Sequence, residues 1–216
     1  VTAAPSSRPG PRADLDVPAA LLDTAERMFA QDGVGAVSLR AIGREAGVSS
    51  AAVLYHHSTK PMLVEAVLRR RGAAVGRELS ARLRALLDAD GPVTTRDLVD
   101  AVLVPMVDVV NADPEGGLCW VKLFTQLAQA NDNLWISAVR GNTDLSTMVV
   151  EVTQRALPAL DEAAIRSRLG IAMFGVLTSL AGADLRAVPD RMGPDGLDPE
   201  FVEQLARFTA AGLATD

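Results

Sequence analysis

Residues Ser38–Lys60 read SLRAIGREAGVSSAAVLYHHSTK, enough chain for two short helices and a tight turn, and how that stretch folds decides the architecture. Ser38 suits an N-cap, and Leu39, Ile42 and Ala46 recur at the spacing that lines one helix face. Gly47 ends that helix, because glycine tolerates the left-handed backbone needed just past a helix end. Ser49 can cap a second helix running from about Ser50 to His57. Two short helices joined through so few residues must cross steeply, which is the geometry of a DNA-reading helix-turn-helix. In the second helix Val53 and His57 lie four apart and point together into a small core. Ser49, Ala52 and His56 share the opposite side, the one that would meet DNA.

Upstream, Asp16 and Pro18 open a first helix, with Leu21, Ala25, Met28 and Phe29 on one face and Asp32-Gly33 at its end. Residues 1–15 begin VTAAPSSRPGPR, too rich in Pro, Ser and Gly to pack, and are expected to form a disordered arm. Arg8 and Arg12 make it either an extra phosphate or minor-groove contact or a solvated tail. Downstream, Ser58 or Thr59 caps a long helix with Pro61 in its first turn, and Met62, Ala66, Leu68 and Val75 carry it towards Leu87. The run Arg69-Arg70-Arg71 reads as a solvated face.

From residue 73 onward helices alternate with breakers: Asp90-Gly91-Pro92, Asp113-Pro114-Glu115-Gly116-Gly117, Asn131-Asp132-Asn133, Leu157-Pro158, and the Pro- and Gly-rich segment 189–199. The predicted helices run from Thr94 or Thr95 to Val110, Leu118 to Ala130, Leu134 to Ala156 with a kink at Gly141-Asn142, about Asp161 to Ala183, and Pro199 to Ala214. No internal repeat and no alternating strand pattern appears, so the fold class is all-α. A composition with 49% apolar and 4% aromatic residues agrees.

The 216 residues can bury a proper core. One cysteine, Cys119, excludes an internal disulfide framework and suits a reducing cytoplasm. No uninterrupted apolar run reaches the roughly 18 residues of a membrane span, and the N-terminus lacks the apolar stretch of a signal peptide, so the expected location is cytoplasmic with no membrane partner. The net charge of -6 divides unevenly: residues 1–72 carry 9 basic against 7 acidic side chains, residues 73–216 carry 12 against 20. The basic excess sits with the DNA-reading part, and the acidic remainder should face away from phosphate.

The fragments LLDTAERMFAQDGVGAVSLRAIGREAGVS, AAVLYHHSTK and PMLVEAVL, in this order from Leu21 to Leu68, resemble the DNA-binding domain of the TetR family of bacterial transcription regulators. The chain has His57 where the family usually has an aromatic, and Ser58 near its usual Gly or Pro. The resemblance implies an N-terminal three-helix helix-turn-helix domain, residues 16–60, and a C-terminal helical ligand-binding and dimerisation domain, residues 61–216. It places Ser50, Ala52 and Leu54 near base edges, Tyr55 and His56 near the backbone and Lys60 on a phosphate. Arg40 and the free amides at the Ser38 end could hold another phosphate. Ser49–His57 contains no Arg, Asn or Gln for bidentate base readout, so discrimination would lean on Arg40 or on DNA shape.

The family's small-molecule cavity lies among its central helices. Candidate walls here are Met106, Trp120, Phe124, Trp135, Met148 and Phe174, with Gln126, Asn142 and Lys122 as polar anchors; the alternative is that these residues simply fill a core. The mix suits a mostly apolar compound of medium size. In the penultimate helix a small stripe, Ala172, Gly175, Ser179 and Gly182, lies beside large Ile165, Leu169, Met173, Val176 and Leu180. The last helix aligns Phe201, Leu205, Phe208 and Gly212. Either these two helices form a two-fold interface with a second copy, as in the family, or they bury each other within one chain.

The expected protein is therefore a homodimeric regulator, a repressor in the first instance, that binds a palindromic double-stranded operator and answers to a small effector. Control by a protein partner, or an enzyme on a helical scaffold, are the rivals. No nucleophile with a base, paired carboxylates or phosphate loop occurs in order, which argues against catalysis, and no cofactor is expected. No metal is expected at His56-His57 either, since neighbours on a helix diverge by about 100°.

Overall fold

The computed structural model of the chain describes residues 16–136, 143–187 and 191–215. The arm and the Gly141-Asn142 kink lie outside them, as does Asn142 as a polar anchor. The elements run α1 (Val17–Ala36), α2 (Leu39–Glu45), α3 (Ser50–His56), α4 (Lys60–Asp88), α5 (Thr95–Ala112), α6 (Pro114–Gln129), α7 (Thr143–Ala156), α8 (Glu162–Ala181), β1 (Met192–Gly193), β2 (Gly196–Leu197) and α9 (Pro199–Ala214). The fold is all-α, with one two-residue antiparallel hairpin, β1–β2, inside the segment expected to be plain loop.

The helix starts are set by side-chain caps. Asp16, Ser38, Ser49, Thr59, Asp161 and Asp198 each accept the amide of the residue three further on, and Thr94 forms a capping box with Asp97. At the other ends, Gly47 adopts φ 69° and closes α2, while Gly33 at φ 81° interrupts α1 so that its last turn is offset.

The break expected over Asp113–Gly117 is present but confined to Asp113, which stands between α5 and α6. Asp113 Oδ1 accepts the Gly116 amide at 3.1 Å and Pro114 occupies the first turn, so α6 begins here rather than at Leu118. Gly117 lies against the α5 backbone, where an added Cβ would stand 2.3 Å from the Val109 carbonyl oxygen. The glycine serves close packing rather than a turn.

Two apolar clusters form, and α6 contributes to both. Leu123 and Leu127 pack with Leu21, Ala25, Phe29, Val37, Ile42, Val53, Leu63, Val64 and Val67 in the N-terminal core. Leu118, Trp120, Val121 and Ala128 pack with α4, α5, α7, α8 and α9 in the larger core. The N-terminal core thus takes in the first two turns of α4 and a strip of α6, beyond the residue 60 boundary. Among the described residues one helix, α8, is long and apolar enough to cross a membrane by length and composition, with a mean hydropathy of 1.3, although Glu162, Arg166 and Arg168 interrupt it.

Candidate nucleic-acid interface and effector region

The helix-turn-helix is built on Val53, which is buried against Gly43; a Cβ on that glycine would stand 2.7 Å from a Val53 methyl. This close seat holds α3 across α2 and turns the rest of α3 outward. Tyr55 is 85% exposed, Leu54 is also exposed, Ser50 lies open and Ala52 is half-buried. Ser38 Oγ takes the Ala41 amide at 3.1 Å and Ser49 Oγ the Ala52 amide at 3.2 Å, so both hydroxyls are caps first. Arg40 is exposed on α2. The His56 ring meets Tyr55 edge-on at 5.1 Å, and His57 closes α3 through its amide to the Val53 carbonyl. Burial, then the neighbouring His56, holds the His57 imidazole below its ordinary pKa.

Lys60 is not where the resemblance puts it. Its ammonium donates to the carbonyls of Val34 (2.7 Å), Val37 (3.0 Å) and Gly35 (3.3 Å), so its three protons tie the start of α4 to the α1–α2 connection. A lysine just before an apolar helix resembles a surface cation in sequence. The kink at Gly33 turns a row of carbonyls towards it.

The arginine run also differs from the expected solvated face. Arg69 pairs with Glu65 at the surface, but Arg70 and Arg71 converge on Glu26, a carboxylate only 2% exposed. Arg71 Nη2 continues to Asp113 Oδ2 at 2.6 Å, and Arg70 Nη1 to Asp23 Oδ1 at 2.5 Å. The Arg71 guanidinium, ahead of some opposing burial, holds the Asp113 carboxyl below the usual range. The sequence signal existed: Glu26 interrupts the stripe Leu22, Phe29 and Ala30, and an acid there needs a cation.

Of the six candidate effector walls, Trp120, Phe124 and Trp135 do meet. Trp120 stacks on Phe124 at 5.2 Å, and Phe124 meets Trp135 edge-on at 5.0 Å. Met106 and Met148 belong to the same core. Phe174 does not; it is 41% exposed on the outer side of α8. Gln126 donates to the Ala30 carbonyl at 2.9 Å and Lys122 pairs with Asp184 at 2.5 Å, so neither is an anchor in that core. None of the six lines either of the two described surface clefts.

The outer face of α8 and α9 is apolar but not the predicted stripe. Ile171 is 74% and Phe208 81% exposed, and Phe174 joins them; Gly175 is open, and Ala172 and Ser179 are half-buried. Leu205 is buried in its own chain's core, Phe201 packs half-buried under Arg191, and Gly182 caps α8 beneath Leu185, so these three face inward. Ile171 went unseen because α8 is apolar all round, which leaves periodicity no face to single out. Among the described residues no group of three or more His, Cys, Asp or Glu is placed to hold a metal ion.

A buried Val53 under an outward α3 with an open Tyr55 defines a helix-turn-helix protein of the all-α class. Residues 21–67 match the sequence model for bacterial regulatory proteins, tetR family. The chain resembles that family over this stretch. It is 37% identical over 90 residues to an HTH-type transcriptional repressor of Mycobacterium tuberculosis and to an HTH-type transcriptional regulator of Mycobacterium bovis, a match covering 39% of this chain. The matched stretch spans about half (48%) of the length of these curated relatives. The fold is that of AmtR of Mycobacterium smegmatis (18% identity, TM-score 0.63, 97% of this chain and 91% of that one). It is also that of the ketosteroid transcriptional regulator KstR2 of Mycobacterium tuberculosis (19%, TM-score 0.60, 94% and 95%).

Proposed function

We propose that the protein is a DNA-binding transcription regulator of the cytoplasm, a repressor as its Mycobacterium tuberculosis relative is named, which binds a palindromic operator as a homodimer. The observation that carries the reading is α3, capped at Ser49, seated through Val53 and outward along Ser50, Leu54 and Tyr55. A single such helix reads too few bases, and two copies placed about 34 Å apart would enter successive major grooves. Ile171, Phe174 and Phe208 supply an apolar face for the second copy, a better account of α8 than lipid, since its inner side is packed against the core. Arg40 and the backbone amides near Ser38 are the proposed phosphate contacts; Lys60 is not among them.

The effector is a small, mostly apolar compound received among Met106, Trp120, Phe124, Trp135 and Met148. It has to part Phe124 from Trp135, which touch in this state. It acts by favouring a dimer spacing that no longer fits the operator. The reading is tested by titrating the chain against fragments of its own upstream region at several salt concentrations, with mass measured in parallel. A dimer whose log affinity falls linearly with log salt is expected. A monomer that binds no fragment even in dilute buffer refutes it.

A further inference from the structure

Helix α4 carries six arginines, and four of them are paired. Arg69 meets Glu65, Arg70 meets Asp23 and Glu26, Arg71 meets Glu26 and Asp113, and Arg82 meets Glu78. Among the described residues Arg77 and Arg84 have no partner in any hydrogen bond or ion pair, and both are exposed. The two lie together. They line a cleft of about 590 Å³ with Gly72, Ala73, Gly76 and Ser80.

Ser80 stands three residues after Arg77 and four before Arg84, so the three side chains are neighbours on one helix face, a hydroxyl between two guanidinium forks. The rest of the lining carries no side chain larger than a methyl, and a Cβ on Gly76 would meet nothing within 4 Å. That floor is open to the body of a bound molecule. The charge of the surroundings decides its size: residues 73–216 carry 12 basic against 20 acidic side chains, which would repel a long polyanion along most of its length. A compact anion inside the cleft meets the two arginines first. Operator DNA does not reach it, since Arg77 lies about 25 Å along α4 from Lys60. A second copy does not suit it either, because a two-fold pairing of this face about Ser80 sets arginine against arginine. Phosphate fits these donors best. It brings close to two charges at neutral pH and three acceptor oxygens, enough for both forks and the hydroxyl, where a carboxylate brings one charge and two oxygens.

We propose that this cleft is a binding site for a small phosphate monoester, its phosphate held by Arg77 and Arg84 with Ser80 Oγ donating between them, and its organic part lying over Gly72, Ala73 and Gly76. The site is separate from the aromatic group of Trp120, Phe124 and Trp135, none of which lines it, and from the outward face of α3. It therefore stands or falls independently of the DNA-binding and effector readings.

Calorimetry on the full chain in phosphate-free buffer at about 0.1 M salt tests it, with phenyl phosphate, inorganic phosphate and benzoate as probes. Phenyl phosphate binds saturably, inorganic phosphate more weakly, and benzoate not measurably. Arg77→Gln and Arg84→Gln each weaken phenyl phosphate by about tenfold, the loss of a hydrogen bond between charged groups. Arg82→Gln, on the same helix but paired with Glu78, leaves the affinity unchanged. The location is read on the native chain with the arginine reagent phenylglyoxal and mass spectrometry: phenyl phosphate protects Arg77 and Arg84 but not the exposed Arg40 and Arg44. Absence of saturable binding, benzoate bound as tightly as phenyl phosphate, equal weakening in all three variants, or unprotected Arg77 and Arg84 each overturns the proposal. No DNA enters the titration, so a chain that ignores DNA still answers it.

Discussion

Lys60→Met separates two roles for one ammonium. Methionine keeps much of the aliphatic stem and removes the three donors to Val34, Gly35 and Val37. The bonds to Val34 and Val37 are part-buried; at the low end of ~1.5 kcal/mol each for a hydrogen bond to a charged group, the loss is about 3 kcal/mol. With a urea slope of at most about 3 kcal/mol per molar, the unfolding midpoint should fall by roughly 1 M or more. Operator binding supplies the second axis. A lysine that neutralises a phosphate contributes about 0.9 to the slope of log affinity against log salt, hence about 1.8 from the two copies of a dimer. A structural Lys60 leaves that slope unchanged. An unmoved urea midpoint together with a slope shallower by about 1.8 would refute the assignment and return Lys60 to the DNA backbone.

Glu26→Ala leaves Arg70 and Arg71 facing an empty, desolvated site and should cost about 3–5 kcal/mol, read as a lowered midpoint in chemical unfolding. Glu26→Gln, which keeps acceptor and shape, should cost clearly less. Aspartates at both Ile171 and Phe174 place charge on the outer α8 face and should leave a folded monomer by light scattering with an unchanged helical spectrum; a persistent dimer would move the interface elsewhere. Because the folded-state pKa of His57 is depressed, its neutral form contributes stability that is present above the unfolded value near 6.5 and is lost as pH falls. Melting curves at about pH 5.5 and 7.5 should therefore differ more for the native chain than for His57→Gln. The depressed Asp113 carboxyl behaves as acids do, its contribution present above about pH 4 and lost below it, so Asp113→Asn should flatten the acid limb of the stability curve.

The local grammar of the chain was open to reading because it is written in short-range chemistry. Asp16, Ser38, Ser49 and Asp161 cap as their types and positions imply, and Gly47 takes the left-handed turn that lets α3 cross α2. Failures came where a residue's partner is distant in sequence. Glu26 and Arg71 are 45 positions apart, and nothing near either one discloses the other. The Asp113–Gly117 stretch has the composition of a turn, yet Gly117 is spent on approach to α5 and Gly116 lies against Arg71 and the Asp113 side chain. Leu205 and Phe208 share a helical stripe in sequence, but the contact angle of α9 buries the first and exposes the second.

Leu123 and Leu127, which α6 lends to the N-terminal core, limit what can be exchanged between proteins of this shape. A cut after the fourth helix would strip the core that holds Leu21 and Phe29 of two buried leucines. A hybrid that joins these N-terminal helices to a foreign C-terminal part must therefore bring α6 along, or supply a host helix with leucines at the same two heights.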